Sequence, residues 1–84
     1  MRITLKLSAT LTDSLPAAAR RDNLVHLDVD ESATISSLVE PLGIPPPLVH
    51  LVLVNGHYVP PAERSTRAFR DGDVLAIWPP IAGG

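Results

Sequence analysis

The sequence predicts an α+β domain, a mixed sheet of four to five strands packed on one helix, and three observations carry that prediction. Two segments near the N-terminus alternate apolar and polar residues with the period of a half-buried strand. One stretch in the middle repeats its apolar residues at helical spacing, and an Asn-Gly pair followed by a late aliphatic run signals a hairpin and a closing strand. The order is ββαβββ, with no internal repeat. A chain of 84 residues buries only about 60 to 65% of its unfolded surface. That limits it to one domain and argues against an enzyme with its own nucleotide or substrate cavity.

From Arg2 to Ser8, Ile3, Leu5 and Leu7 fall on one side and Arg2, Thr4, Lys6 and Ser8 on the other, the clearest strand in the sequence. A long loop follows, with one helical turn expected to begin at Pro16, and Leu11 and Leu15 pinning the loop to the core. A second strand is expected over 23–30, with Val25, Leu27 and Val29 inward and His26, Asp28 and Asp30 outward, paired antiparallel with the first. Thr34 is placed to cap a short helix whose Ile35, Leu38, Val39 and Leu42 share one face. Pro41 should kink or loosen that helix, Gly43 suits its C′ position, and Pro45, Pro46 and Pro47 forbid continuation. Val49 to Val54, Asn55-Gly56 and His57 to Val59 read as a hairpin with a type I′ turn. Pro60 and Pro61 end it, 63–70 is an irregular connection anchored by Phe69, and Asp71-Gly72-Asp73 turns into a last strand over Val74–Trp78.

Composition excludes several classes. The absence of cysteine removes disulfides, thiol redox chemistry, zinc ribbons and iron–sulfur ligation. A net charge of −2 argues against nucleic acid as a partner. The N-terminal segment lacks the apolar core of a signal peptide, and the longest aliphatic run, Leu51 to Val54, falls far short of the roughly 20 residues that span a bilayer. A cytoplasmic protein with no membrane partner is expected. His26, His50 and His57 share no metal-ligand spacing, so no metal site is expected, and Asp28, Asp30 and Glu31 read as a solvated face. Arg64, Arg67 and Arg70 recur every three residues and offer either a basic patch for an acidic partner or plain solvation.

The pattern reads as a β-grasp, or ubiquitin-like, fold, in which the first and last strands lie side by side and parallel. The C-terminus then leaves the centre of the sheet, so residues 1–78 form the domain and 79–84 an extended tail. Pro79 and Pro80 stiffen the exit, and Gly83-Gly84, lacking Cβ atoms, makes the narrowest chain for entry into another enzyme's channel. Composition alone leaves a frayed terminus equally open.

Val54-Asn55-Gly56, Asp71-Gly72-Asp73-Val74 and Trp78-Pro79-Pro80-Ile81-Ala82-Gly83-Gly84 together resemble the small sulfur-carrier proteins typified by the molybdopterin synthase small subunit and the thiamine-biosynthesis sulfur carrier. The closing Pro-Pro-x-x-Gly-Gly is the most specific element. The resemblance implies that an E1-like activating enzyme, using ATP and magnesium, adenylates the carboxylate of Gly84. A sulfurtransferase or cysteine desulfurase then supplies sulfur, and an acceptor synthase large subunit receives it from the thiocarboxylate. The resemblance also implies that the chain binds no cofactor itself and is no catalyst alone. The proline pair favours the molybdopterin branch, with the thiazole branch of thiamine synthesis as the alternative. Two further classes stay open: a modifier conjugated through Gly84, for which Lys6 is the sole self-linking site, and a non-reactive interaction domain.

A single helix covers one sheet face, so some of Leu51, Leu53, Leu75, Ile77 and Trp78 are expected to be exposed as a docking patch. The alternative is that the loop over 9–22 covers them. Trp78, Pro79, Pro80, Ile81 and Ala82 are expected to meet the activating enzyme and the acceptor, with Gly83 beside the reactive Gly84.

Overall fold

The computed structural model describes residues 1–80. Alternation along strand β1 (Arg2–Leu7) turns Ile3, Leu5 and Leu7 to the interior, each almost fully buried. Strand β2 (Leu24–Asp28) pairs with it antiparallel, and its Val25 and Leu27 lie half-buried against the core. The loop between them winds into 3₁₀ turns over Ala9–Ser14 and Ala17–Ala19, the second at the expected place after Pro16. Leu11 and Leu15 are buried as predicted, and the Arg20 guanidinium fastens the loop by donating to the carbonyls of Leu15 and Asp13 at 3.1 Å each.

Helix α1 (Ile35–Val39) begins where Thr34 caps it. Thr34 Oγ1 accepts from the Ser37 amide at 3.2 Å, and Ser37 Oγ accepts in return from the Thr34 amide at 2.8 Å. The Ser36 amide, a further donor that the first turn leaves without an intrahelical partner, reaches the Arg64 carbonyl at 2.9 Å. Pro41 acts as expected: the helix passes at Val39 into a 3₁₀ turn over Glu40–Leu42, closed by Gly43 at φ +69°. Ile35 and Val39 are buried, with Leu38 and Leu42 packed at the margin of the core.

Strand β3 (Leu51–Val54) starts two residues later than the sequence suggested. The proline run sets a 3₁₀ turn over Pro46–Leu48, and the Val49 amide closes back onto the Pro46 carbonyl at 3.1 Å. Asn55 (φ +51°) and Gly56 (φ +82°) make the predicted turn into β4 (His57–Tyr58). Beyond a 3₁₀ turn over Pro61–Glu63, the connection touches the helix start through an isolated bridge between Thr34 and Ala68, and Phe69 is buried. Strand β5 (Val74–Trp78) completes a five-stranded sheet, in the order β2-β1-β5-β3-β4 among the described residues. Among the described residues only the β1–β5 pair is parallel.

Candidate functional site

Two cross-strand rows set the inner face of the sheet. Leu5, Leu75 and Val54 stand in register, as do Leu7, Ile77 and Val52, and all six are buried beneath the helix and the Leu11–Leu15 loop. Leu75 and Ile77, expected as docking candidates, are therefore corrected. Both expose 0% of their surface and offer a partner nothing to touch. Period-2 alternation then assigns the remaining candidates to the opposite face, which no element of the described residues covers. Leu51 pairs with Trp78, and Leu53 with Ala76 on one side and Tyr58 on the other.

This open face has two halves. Over β5, β3 and β4 it is apolar: Val74, Leu53 and Trp78 are half-exposed, Leu51 is 37% exposed and Tyr58 56%. Over β1 and β2 it is polar. Arg2 pairs with Asp28 at 3.5 Å, Thr4 Oγ1 meets His26 Nδ1 at 2.9 Å, and Lys6 lies beside Ala76. Tyr58 and Val74 were missed in the sequence; hairpin register combined with β5 alternation is the signal that finds them.

The apolar half borders the point where the chain leaves the sheet. Ladder bonds hold that exit on both sides, from the Ser8 amide to the Ile77 carbonyl and from the His50 amide to the Trp78 carbonyl, each at 3.2 Å. Pro79 is buried and Pro80 exposed, so the stalk is clamped at its root. Ile81, Ala82, Gly83 and Gly84, the remainder of the expected tail, lie outside the described residues.

The arginine series does not form one patch. Arg64 is spent inside the fold, its Nε donating to the Val59 carbonyl at 3.2 Å and its Nη1 and Nη2 to the Val49 and His50 carbonyls at 3.0 and 3.2 Å. Among the described residues no three His, Asp or Glu side chains converge on a point that could hold a metal, and no helix is long and apolar enough to cross a membrane.

Residues 1–82 match the family model described as Mut7-C ubiquitin. The chain belongs to the Mut7-C ubiquitin family. The β-grasp assignment holds against solved structures as well. SAMP1 from Haloferax volcanii is 25% identical over 100% of both chains, with a TM-score of 0.69. A second Haloferax volcanii protein, known from a solution structure, is 26% identical over 100% of this chain and 87% of its own, with a TM-score of 0.74. In the Helicobacter pylori complex of subunits 1 and 2 of molybdopterin-converting factor, the matched chain shares the fold at a TM-score of 0.61 and 17% identity, with 100% coverage of both. No curated protein matches the sequence. The ubiquitin-like fold expected from the pattern and the resemblance is thus established, and with it the central, parallel position of the last strand.

Proposed function

We propose that this ubiquitin-like domain is a sulfur carrier that works through the α-carboxylate of Gly84. The observation that carries the reading is the position of β5. The strand lies between β1 and β3 and runs out of the sheet at Trp78 beside an open apolar face, so a partner seated there has the tail within reach. A terminal carboxylate with a reference pKa of about 3.3–3.7 is anionic at neutral pH and a competent nucleophile toward the α-phosphorus of ATP. Attack forms the acyl–phosphate bond and expels pyrophosphate. The outer sulfur of a persulfide on a sulfurtransferase or cysteine desulfurase then attacks the acyl carbon and AMP leaves; a second thiol of that enzyme cleaves the S–S bond of the acyl disulfide, forming an enzyme disulfide and releasing the thiocarboxylate. The E1-like activating enzyme supplies the ATP and magnesium site, and no internal thiol competes for the activated carbonyl.

The acceptor in this reading is the large subunit of a molybdopterin-type synthase, by analogy with the two-subunit Helicobacter pylori complex. Thiazole synthesis is the runner-up pathway. Incubation of the full chain with an activating enzyme, ATP and a sulfur donor, followed by intact-mass measurement, tests the step. Exchange of one oxygen for one sulfur at Gly84 is expected, and a Gly84→Ala chain or one extended by a residue should not acquire sulfur. An unchanged mass with several competent activating enzymes would refute the reading.

A second reading is favoured by the likeness to SAMP1, a protein described as a small archaeal modifier. Gly84 would then be joined to lysines of other proteins. Reductant-resistant adducts carrying a Gly84 isopeptide on a denaturing gel distinguish it from sulfur transfer.

A further inference from the structure

The arginines of the described residues have distinguishable fates. Arg2 pairs with Asp28, Arg20 and Arg64 are bonded to backbone carbonyls, and Arg21 and Arg70 project from exposed positions. Arg67 fits none of these. It is half-buried, its side chain makes no hydrogen bond or ion pair within the described residues, and its Nη1 is sealed from solvent without a partner. A guanidinium carries five donors and cannot shed its charge, so leaving it unpaired at a half-buried site is costly.

Arg67 lines a polar cavity of about 420 Å³ together with Asn55, Ala68, Arg70 and Asp73. The one carboxylate there is engaged in bracing the turn: Asp73 Oδ1 accepts from Asn55 Nδ2 at 2.8 Å and Oδ2 from the Arg70 amide at 2.9 Å. Two guanidinium groups against one carboxylate leave the cavity net positive. We infer that Arg67, with Arg70 and the Asn55 amide, forms a receptor for a small oxyanion of the phosphate class. The planar fork of Arg67 matches two oxygens of such an anion, and rotation about its terminal torsions brings the sealed nitrogen to the ligand. The cavity lies at the Asp73 end of β5, a strand length of roughly 15 Å from the Trp78 exit. Anion binding is therefore separate from the tail, and it stands whether or not Gly84 carries sulfur.

The test is an NMR titration of the ¹⁵N-labelled full chain with sodium phosphate, against sodium chloride at matched ionic strength. Saturable shifts are expected at the Asn55 side-chain amide and the backbone amides from Arg67 to Arg70. Arg67→Gln should weaken phosphate binding by about tenfold or more, Arg67→Lys by less, and Arg21→Gln not at all. Because the Arg67 side chain makes no bond within the described residues, Arg67→Gln should fold, and its thermal unfolding in chloride should come no lower than that of the parent. An AMP arm identifies the source of the phosphate. Saturation at lower concentration than phosphate points to a nucleotide, and at equal or higher concentration to the free anion. Shifts that grow linearly without saturating, or that saturate unchanged in Arg67→Gln, overturn the inference.

Discussion

Arg64 ties together three separate stretches of the chain through its side chain and its backbone carbonyl. Arg64 donates to the carbonyls of Val49, His50 and Val59, and its own carbonyl accepts from Ser36 at the helix start. Since the His50 amide bonds the Trp78 carbonyl, this brace stands one residue from the tail root. Arg64→Ala leaves three carbonyls short of a partner and should cost about 1–3 kcal/mol. Urea denaturation should show a lower midpoint at unchanged slope, with Arg64→Lys recovering part of the loss. A midpoint equal to the parent's would show that water replaces the brace. Spacing of three between Arg64, Arg67 and Arg70 suggested equivalence, yet Arg64 is bonded inside the fold while Arg67 and Arg70 line a cavity. The carbonyls that occupy Arg64 lie five to fifteen residues away in sequence and come near only in the folded chain.

At the scale of elements, local chemistry set each boundary that it governs. Thr34 opens the helix, Pro41 and Gly43 end it, and Asn55-Gly56 turns the hairpin, because caps, missing amides and positive φ angles act within a few residues. Asn55 does more than turn. Its Oδ1 accepts from the Val74 amide at 2.9 Å while its Nδ2 donates to Asp73, so the hairpin tip is bolted to the start of the central strand. A Cβ on Gly56 would meet no heavy atom within 4 Å. The whole penalty of Gly56→Ala is therefore conformational, about 1–2 kcal/mol. Thermal unfolding should register it at about 4–8 °C per kcal/mol, without loss of the sheet. The five-residue α1 shows the opposite dependence. A helix this short does not stand alone in water and exists because Ile35 and Val39 are buried.

For the molecule as a whole, the decisive arrangement is a central strand with two unlike faces. Leu75 and Ile77 close the core, while Val74 and Trp78 lie with Leu51, Leu53 and Tyr58 on the uncovered side. The two sets should respond differently. Leu75→Ala should cost about 2–5 kcal/mol in denaturant unfolding. Leu51→Glu combined with Tyr58→Glu should leave stability within about 0.5 kcal/mol at each site, yet raise the KM for activation of Gly84 by an activating enzyme. A double variant that is activated normally would place docking elsewhere. Half of the aliphatic residues expected in a docking patch, Leu75 and Ile77, belong to the core, and the exposed patch is completed by Tyr58 from the hairpin.

The sequence by itself determined the element order, the antiparallel start, the hairpin turn, the helix limits and the β-grasp class. All of these follow from periodicity and from residues acting on their immediate neighbours. Only the tertiary structure decided which face of β5 is buried, because every side chain of that strand except Ala76 is a large apolar group and alternation within it carries no polarity. Register against Leu5 and Val54 was needed to choose. Likewise only the fold separated the three arginines, since a side chain's partner is a matter of what long-range packing brings to it. Arg64 met carbonyls, while Arg67, half-buried, and Arg70, exposed, came to line one cavity.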